Sequence, residues 1–161
     1  MAETRFGLGF DVHPRDEGRP LRLGGVAFDG EPGLAGHSDG DVVCHALADA
    51  LLGAAALGDV GEYFPDTDPT ITGIAGPELL SRVVELVRDA GLQPEACDLV
   101  VIAERPAIGA SRDRMRAAVS EALGIGIDRV SVKATRPEGL GLSGDGAGCL
   151  ALAVVVPISV R

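Results

Sequence analysis

Hydrophobic and polar positions alternate cleanly at the start of the chain. Phe6, Leu8, Phe10 and Val12 fall on one side of an extended segment and Gly7, Gly9, Asp11 and His13 on the other. Residues 5–13 therefore read as a half-buried strand. A second strand is expected over 20–28, with Gly24-Gly25 marking a bulge or a close backbone approach, and a polar, glycine-rich loop follows. The pattern then becomes dense in Ala and Leu, which predicts a helix from Ser38-Asp39 to Leu57, with Ser38 and Asp41 fitting a capping box. Asp59 to Pro69 breaks up in Pro, Gly and Asp. A second helix is predicted over 77–90, with Pro77 in its first turn, a core stripe through Leu79, Val83, Leu86 and Val87, and a stop at Gly91. A strand over 97–104, a helix over 111–123 and strands over 129–135 and 147–157 complete the chain. The order β-β-α-α-β-α-β-β predicts an α+β fold, a single mixed β-sheet with helices packed on one face.

Composition narrows the function. The chain has 161 residues, 46% of them hydrophobic, which is enough for one domain over 1–161 with its own core. Aromatics are only 3% and Trp is absent, so Leu, Val, Ile and Ala build that core and little is left to stack on bases. A formal charge of −10 would repel a phosphate backbone, and nucleic acid is not expected as a partner. The longest apolar run, Cys149 to Ile158, is about half of what a bilayer span needs, and Met1 to Phe10 carries no apolar signal core. A membrane is likewise not expected, and the chain reads as cytoplasmic. Cys44, Cys97 and Cys149 are odd in number and scattered, which points to buried apolar thiols rather than disulfides or a thiolate metal site.

The candidate chemistry starts with Asp11 and His13. Two residues apart on a strand, they leave the same face and can grip one ion. His45 sits in an otherwise apolar helix, on a polar stripe with Asp41 and Asp49, either of which can orient its ring. Two imidazoles and one carboxylate suit zinc with a position left open, the arrangement of a catalytic site. Phe64-Pro65-Asp66-Thr67-Asp68-Pro69 holds two carboxylates between prolines, fit for polyol hydroxyls and equally for an ordinary turn. The run Gly139 to Gly148 lacks the ending of a P-loop and reads as close backbone packing. Thr135 and Glu138 offer oxygen ligands for magnesium or manganese, although Glu138 taken alone reads rather as a solvated loop carboxylate than as a ligand.

The stretches GFDVHP (9–14), GHSDGDVVCHALADALLGAAALGDVG (36–61), FPDTDP (64–69), AERP (103–106) and VSVKAT…EGLGLSG (130–144) closely resemble the 2-C-methyl-D-erythritol 2,4-cyclodiphosphate synthase family, nearly end to end. The resemblance implies a homotrimer with active sites between subunits, zinc held by Asp11, His13 and His45, and a second divalent cation, magnesium or manganese, near Glu138. It implies a cytidine diphosphate-linked substrate, 4-diphosphocytidyl-2-C-methyl-D-erythritol 2-phosphate, cyclised with release of CMP in non-mevalonate isoprenoid synthesis. By matching position, His37 and Ser38 orient the reacting phosphates beside Asp11, Val12 and His13. Asp59, Val60, Gly61 and the turn Phe64, Pro65, Asp66, Thr67 and Asp68 hold the methylerythritol. The loop Ala103, Glu104, Arg105, Pro106, Ala107, Ile108 and Gly109, with Thr135, Arg136, Pro137, Glu138 and Leu142, takes the cytidine end from the adjacent subunit.

The chain departs from the family pattern at three places. Arg136 stands where a threonine associated with transition-state stabilisation is usual, Asp145 and Ala147 replace an Arg and Glu pair, and Ala107 replaces a loop lysine. Pro137 favours an extended Arg136, whose guanidinium is expected to reach a phosphate and to act with His37 and Thr135 as catalytic groups. An acidic residue at 145 is expected to weaken binding of isoprenoid diphosphates along the trimer axis. Two other readings stay open from the residues alone: a different zinc phosphohydrolase, and a catalytically weakened trimeric paralogue with a binding or structural role.

Overall fold

A computed structural model describes residues 3–141 and 145–159. Its elements run β1 (Arg5–Leu23), β2 (Val26–Leu34), α1 (Val42–Ala55), α2 (Val60–Tyr63), α3 (Gly76–Asp89), β3 (Leu92–Ala103), α4 (Arg112–Leu123), β4 (Val130–Thr135) and β5 (Gly146–Pro157). The strands lie in the order β2-β1-β5-β3-β4. Only β3 and β4 pair in parallel, so the sheet is mixed as expected, and α1, α3 and α4 cover one face. Leu47, Leu51, Leu80, Leu99, Met115 and Leu123 are fully enclosed between the helices and the sheet.

The expected strands at 5–13 and 20–28 are one long β1 and the start of β2. Gly24 and Gly25 have φ of 58° and 78°, two consecutive left-handed positions, so they form the hairpin turn rather than a bulge inside a strand. The expected loop after residue 28 continues as β2. Helix α1 begins at Val42, not at Ser38. Its cap is Asp41, fully buried, whose carboxylate accepts from the N–H of Val43 and Cys44 and also from those of Gly24 (2.8 Å) and Gly25 (2.6 Å). One side chain thus ties the hairpin turn to the helix start.

The alternation in β1 is real, but the burial it suggests is inverted. Gly7 and Gly9 face the helices, while Phe6, Leu8, Phe10 and Val12 point away from them, 65%, 67%, 53% and 45% exposed. Leu150 and Leu152 of β5 pair with Phe10 and Leu8 and extend the same exposed apolar surface.

Candidate active site

A Cβ at Gly7 would lie 1.8 Å from the Ala50 carbonyl oxygen, and one at Gly9 1.9 Å from that of Ala46. Only hydrogen fits there, so α1 lies flush on β1 and runs antiparallel to it. Four helical residues advance about 6 Å and two strand residues about 6.6 Å. The two elements stay in step, and the first turns of α1 arrive over Asp11 and His13. His45, whose Cβ leans toward the helix start, then reaches both.

His13 Nε2 is 2.8 Å from Asp11 Oδ2. His45 Nδ1 is 3.2 Å from the same oxygen and 3.3 Å from His13 Nε2, and the three ligand atoms all lie within 4.8 Å of one another. Burial pushes the Asp11 carboxyl up, but hydrogen bonds and charge from His13 and His45 outweigh it and hold the group at about 2. The Asp11 carboxylate raises the His13 imidazole above its ordinary value against the effect of burial.

The remaining ring nitrogens are occupied elsewhere. His13 Nδ1 donates to the Ala35 carbonyl and His45 Nε2 meets Ser38 Oγ at 2.7 Å; with the ring protons on those two atoms, Nε2 of the first ring and Nδ1 of the second, the nitrogens beside Asp11, are the ones that would bind an ion. Asp41 and Asp49 do not orient His45, contrary to the stripe argument. Asp41 is spent on the cap and the hairpin turn, and Asp49 accepts from the Val60 N–H at 2.8 Å, anchoring α2. With two aimed nitrogens and one ionised carboxylate, this donor set fits a divalent transition metal that keeps a position for an oxygen ligand.

The three ligands open onto a cavity of about 330 Å³ that His37, Ser38, Val60, Gly61, Phe64, Pro65, Asp66 and Asp68 also line. His37 Nδ1 meets Asp66 Oδ1 at 3.1 Å across it, and Asp68 turns back on its own turn to accept from Thr70. Asp59 caps α2 and Thr67 is an exposed turn residue; neither lines this cavity. Val12 is on the opposite face of the sheet.

The other expected residues gather elsewhere, at the ends of the parallel pair β3 and β4, where Ile102 pairs with Thr135. The Ala103–Gly109 loop follows β3, and Thr135, Arg136, Pro137 and Glu138 follow β4. Glu104 Oε1 accepts from the Gly139 N–H at 3.1 Å, joining the two loops. None of these residues lines the cavity beside Asp11, His13 and His45. Leu142 lies outside the described residues.

Sequence reasoning missed Thr72, Ile74 and Leu79 as cavity walls. They reach it because Gly73 N–H bonds the His37 carbonyl and Asp39 N–H that of Ile74, long-range contacts with no local sequence signal. It also missed the Ser38 link to His45, seven residues apart.

A carboxylate and two histidines within reach of one ion, at the wall of an open cavity on a mixed α+β sheet, form a candidate metal site beside a space of small-molecule size. A family model described as the YgbB family matches residues 4–157. A 2-C-methyl-D-erythritol 2,4-cyclodiphosphate synthase of Trichlorobacter lovleyi is 49% identical over 154 residues, covering 96% of this chain and 98% of the relative. The bifunctional IspDF of Campylobacter jejuni superposes with a TM-score of 0.93 at 38% identity over 99% of this chain and 44% of that one. A solved 2C-methyl-D-erythritol-2,4-cyclodiphosphate synthase with CDP bound does so at 0.86 and 36% identity, covering 94% and 99%. The chain belongs to the YgbB family, that of the 2-C-methyl-D-erythritol 2,4-cyclodiphosphate synthases.

Proposed function

We propose that this protein is a homotrimeric, zinc-dependent cyclase that converts 4-diphosphocytidyl-2-C-methyl-D-erythritol 2-phosphate to 2-C-methyl-D-erythritol 2,4-cyclodiphosphate and CMP. The observation that carries the reading is the convergence of Asp11, His13 and His45 at a cavity in a chain of this family. An oxygen of the substrate's 2-phosphate forms a bond to the β-phosphorus, the bond to the bridging oxygen breaks, and CMP leaves with that oxygen. Held by Asp11, His13 and His45, zinc would supply Lewis-acid withdrawal of charge from a phosphate oxygen. Nucleophile and electrophile belong to one molecule, so holding it folded is a large part of the rate enhancement.

The chain's own groups divide that task. Ser38 Oγ accepts from the Gly40 N–H at 3.1 Å and meets His45 Nε2 at 2.7 Å; with the ring proton on Nε2, the Ser38 proton is free to be donated to a phosphate oxygen. His37 faces the same space. Gly61, Phe64, Pro65 and Asp66 wall the part suited to methylerythritol. A second copy supports the cytidine end: the loops after β3 and β4 stand apart from the chain's own cavity, and Val12 and Thr135 share a row with the exposed apolar surface. Burying Phe6, Leu8, Phe10, Leu150 and Leu152 between copies contributes on the order of 1 kcal/mol each. Thr135 and Arg136 then reach the phosphates from the neighbour, with magnesium or manganese at Glu138.

Metal-loaded protein incubated with the cytidyl substrate should release CMP and the cyclic diphosphate in equal amounts. Release of inorganic phosphate, or an open-chain product, would reject the cyclase reading. Arg136→Thr tests the arginine, and activity equal to or above the parent removes its catalytic role.

A further inference from the structure

Arg19, near the far end of β1, lies behind the cavity wall rather than in it. Its guanidinium forks onto two main-chain carbonyls, those of Gly36 and Ser38, which flank His37. No carboxylate pairs with Arg19 among the described residues. The contact therefore spends both arms of a fork on fixing backbone direction. In a trans peptide the C=O and the following N–H point oppositely. With the Gly36 carbonyl turned to Arg19, the His37 N–H is turned away from it, and that N–H has no protein acceptor among the described residues. The Ser38 carbonyl is fixed in the same way, and Ser38 is the residue whose hydroxyl holds the His45 ring.

We propose that Arg19 is a positioning residue for the reaction: by clamping both sides of His37 it aims that peptide N–H and the Ser38 hydroxyl at the phosphate group in the cavity. The inference rests on the cyclase reading above for its ligand, but the clamp itself is a property of the free chain. It acts by geometry, because two carbonyl oxygens at different positions need a planar, two-armed donor. A lysine keeps the charge but lacks the planar fork that fixes the directions of both carbonyls.

Three variants separate the roles. Arg19→Lys and Arg19→Gln should each lose about ten-fold or more in kcat, the scale of loss when a group that orients a site residue is removed, while KM changes less than three-fold and the thermal midpoint stays close to the parent. Arg19→Ala should recover part of that loss in millimolar guanidinium, at concentrations that leave the parent unchanged. Full activity of Arg19→Lys would make Arg19 a point charge and overturn the proposal, as would unchanged kcat in all three. Amide hydrogen exchange at Asp39, whose N–H donates to the Ile74 carbonyl directly after the clamped Ser38, gives a readout independent of substrate. Exchange should be faster by about ten-fold or more in Arg19→Gln, and an unchanged rate overturns the clamp. If the parent protein does not turn over the cytidyl substrate, the cyclase reading fails, and the exchange measurement still decides the clamp.

Discussion

On one face of β1, Gly7 and Gly9 admit α1 to direct contact, and just beyond them Asp11 and His13 meet His45. On the other face, the alternate residues Phe6, Leu8, Phe10 and Val12 stand uncovered. The smallest side chains are the enclosed ones and the largest are in the open. Close approach of a helix, not apolar burial, sets the requirement on the inner face, while the outer face carries large apolar side chains that the proposed trimer would bury.

The sharpest way to break the contrast is at the glycines. Gly9→Val places side-chain atoms where the Ala46 carbonyl lies, and it should cost at least about 4 kcal/mol, read as loss of folded protein or a collapsed melting transition. Next in size, His45→Ala should leave the fold intact and lower metal affinity by a hundred-fold or more, roughly the loss of one of three ligands, with turnover lost in parallel; chelator competition measures the first. Phe10→Asp on the outer face should change the stability of the isolated chain by about 0.5 kcal/mol or less yet shift the sedimentation coefficient from trimer to monomer. A trimer that persists in that variant would place the subunit contact elsewhere.

The smallest effect is graded by pH. His13 has a raised pKa in the metal-free fold, so its protonated form is favoured there below that raised value, and metal must displace the proton. Affinity should be level above the raised pKa and fall about ten-fold per pH unit below it. In the metal-free protein, stability from the Asp11–His13 pair has two limits. It is fully present from His13 below the ordinary 6.5 and lost as pH rises through the raised value; from Asp11 it is present above 3.8 and lost as pH falls toward about 2. Denaturant midpoints across these windows check the signs.

The meeting of Asp11, His13 and His45 was legible in the sequence because period-two spacing puts Asp11 and His13 on one face, and because a histidine in an Ala- and Leu-rich helix stands out. Which face of β1 meets the helices was not legible. Alternation says which residues share a side; the glycine row looked solvent-facing because the signature of a flush helix is the absence of side chains. The hairpin at Gly24-Gly25 was missed because two consecutive left-handed positions resemble a bulge until β2 is known to fold back. The start of β3 at Leu92 was hidden by Pro94 and Glu95, where the ladder to β5 slips register. The hydrogen bond of Ser38 to His45, and the fork of Arg19, depend on a tertiary loop path that no local pattern encodes.

Asp41 couples events that are otherwise separate in folding. Its carboxylate draws amides from a turn seventeen residues upstream and from its own helix, with a buried location that gives water no substitute role. The hairpin cannot undock without uncapping the helix, so the two should open to exchange as one cooperative unit, with the amides of Gly24, Gly25, Val43 and Cys44 sharing a single opening free energy. The strand that bears Asp11 and His13 and the helix that bears His45 are thereby delivered together, with the triad assembled by the fold itself.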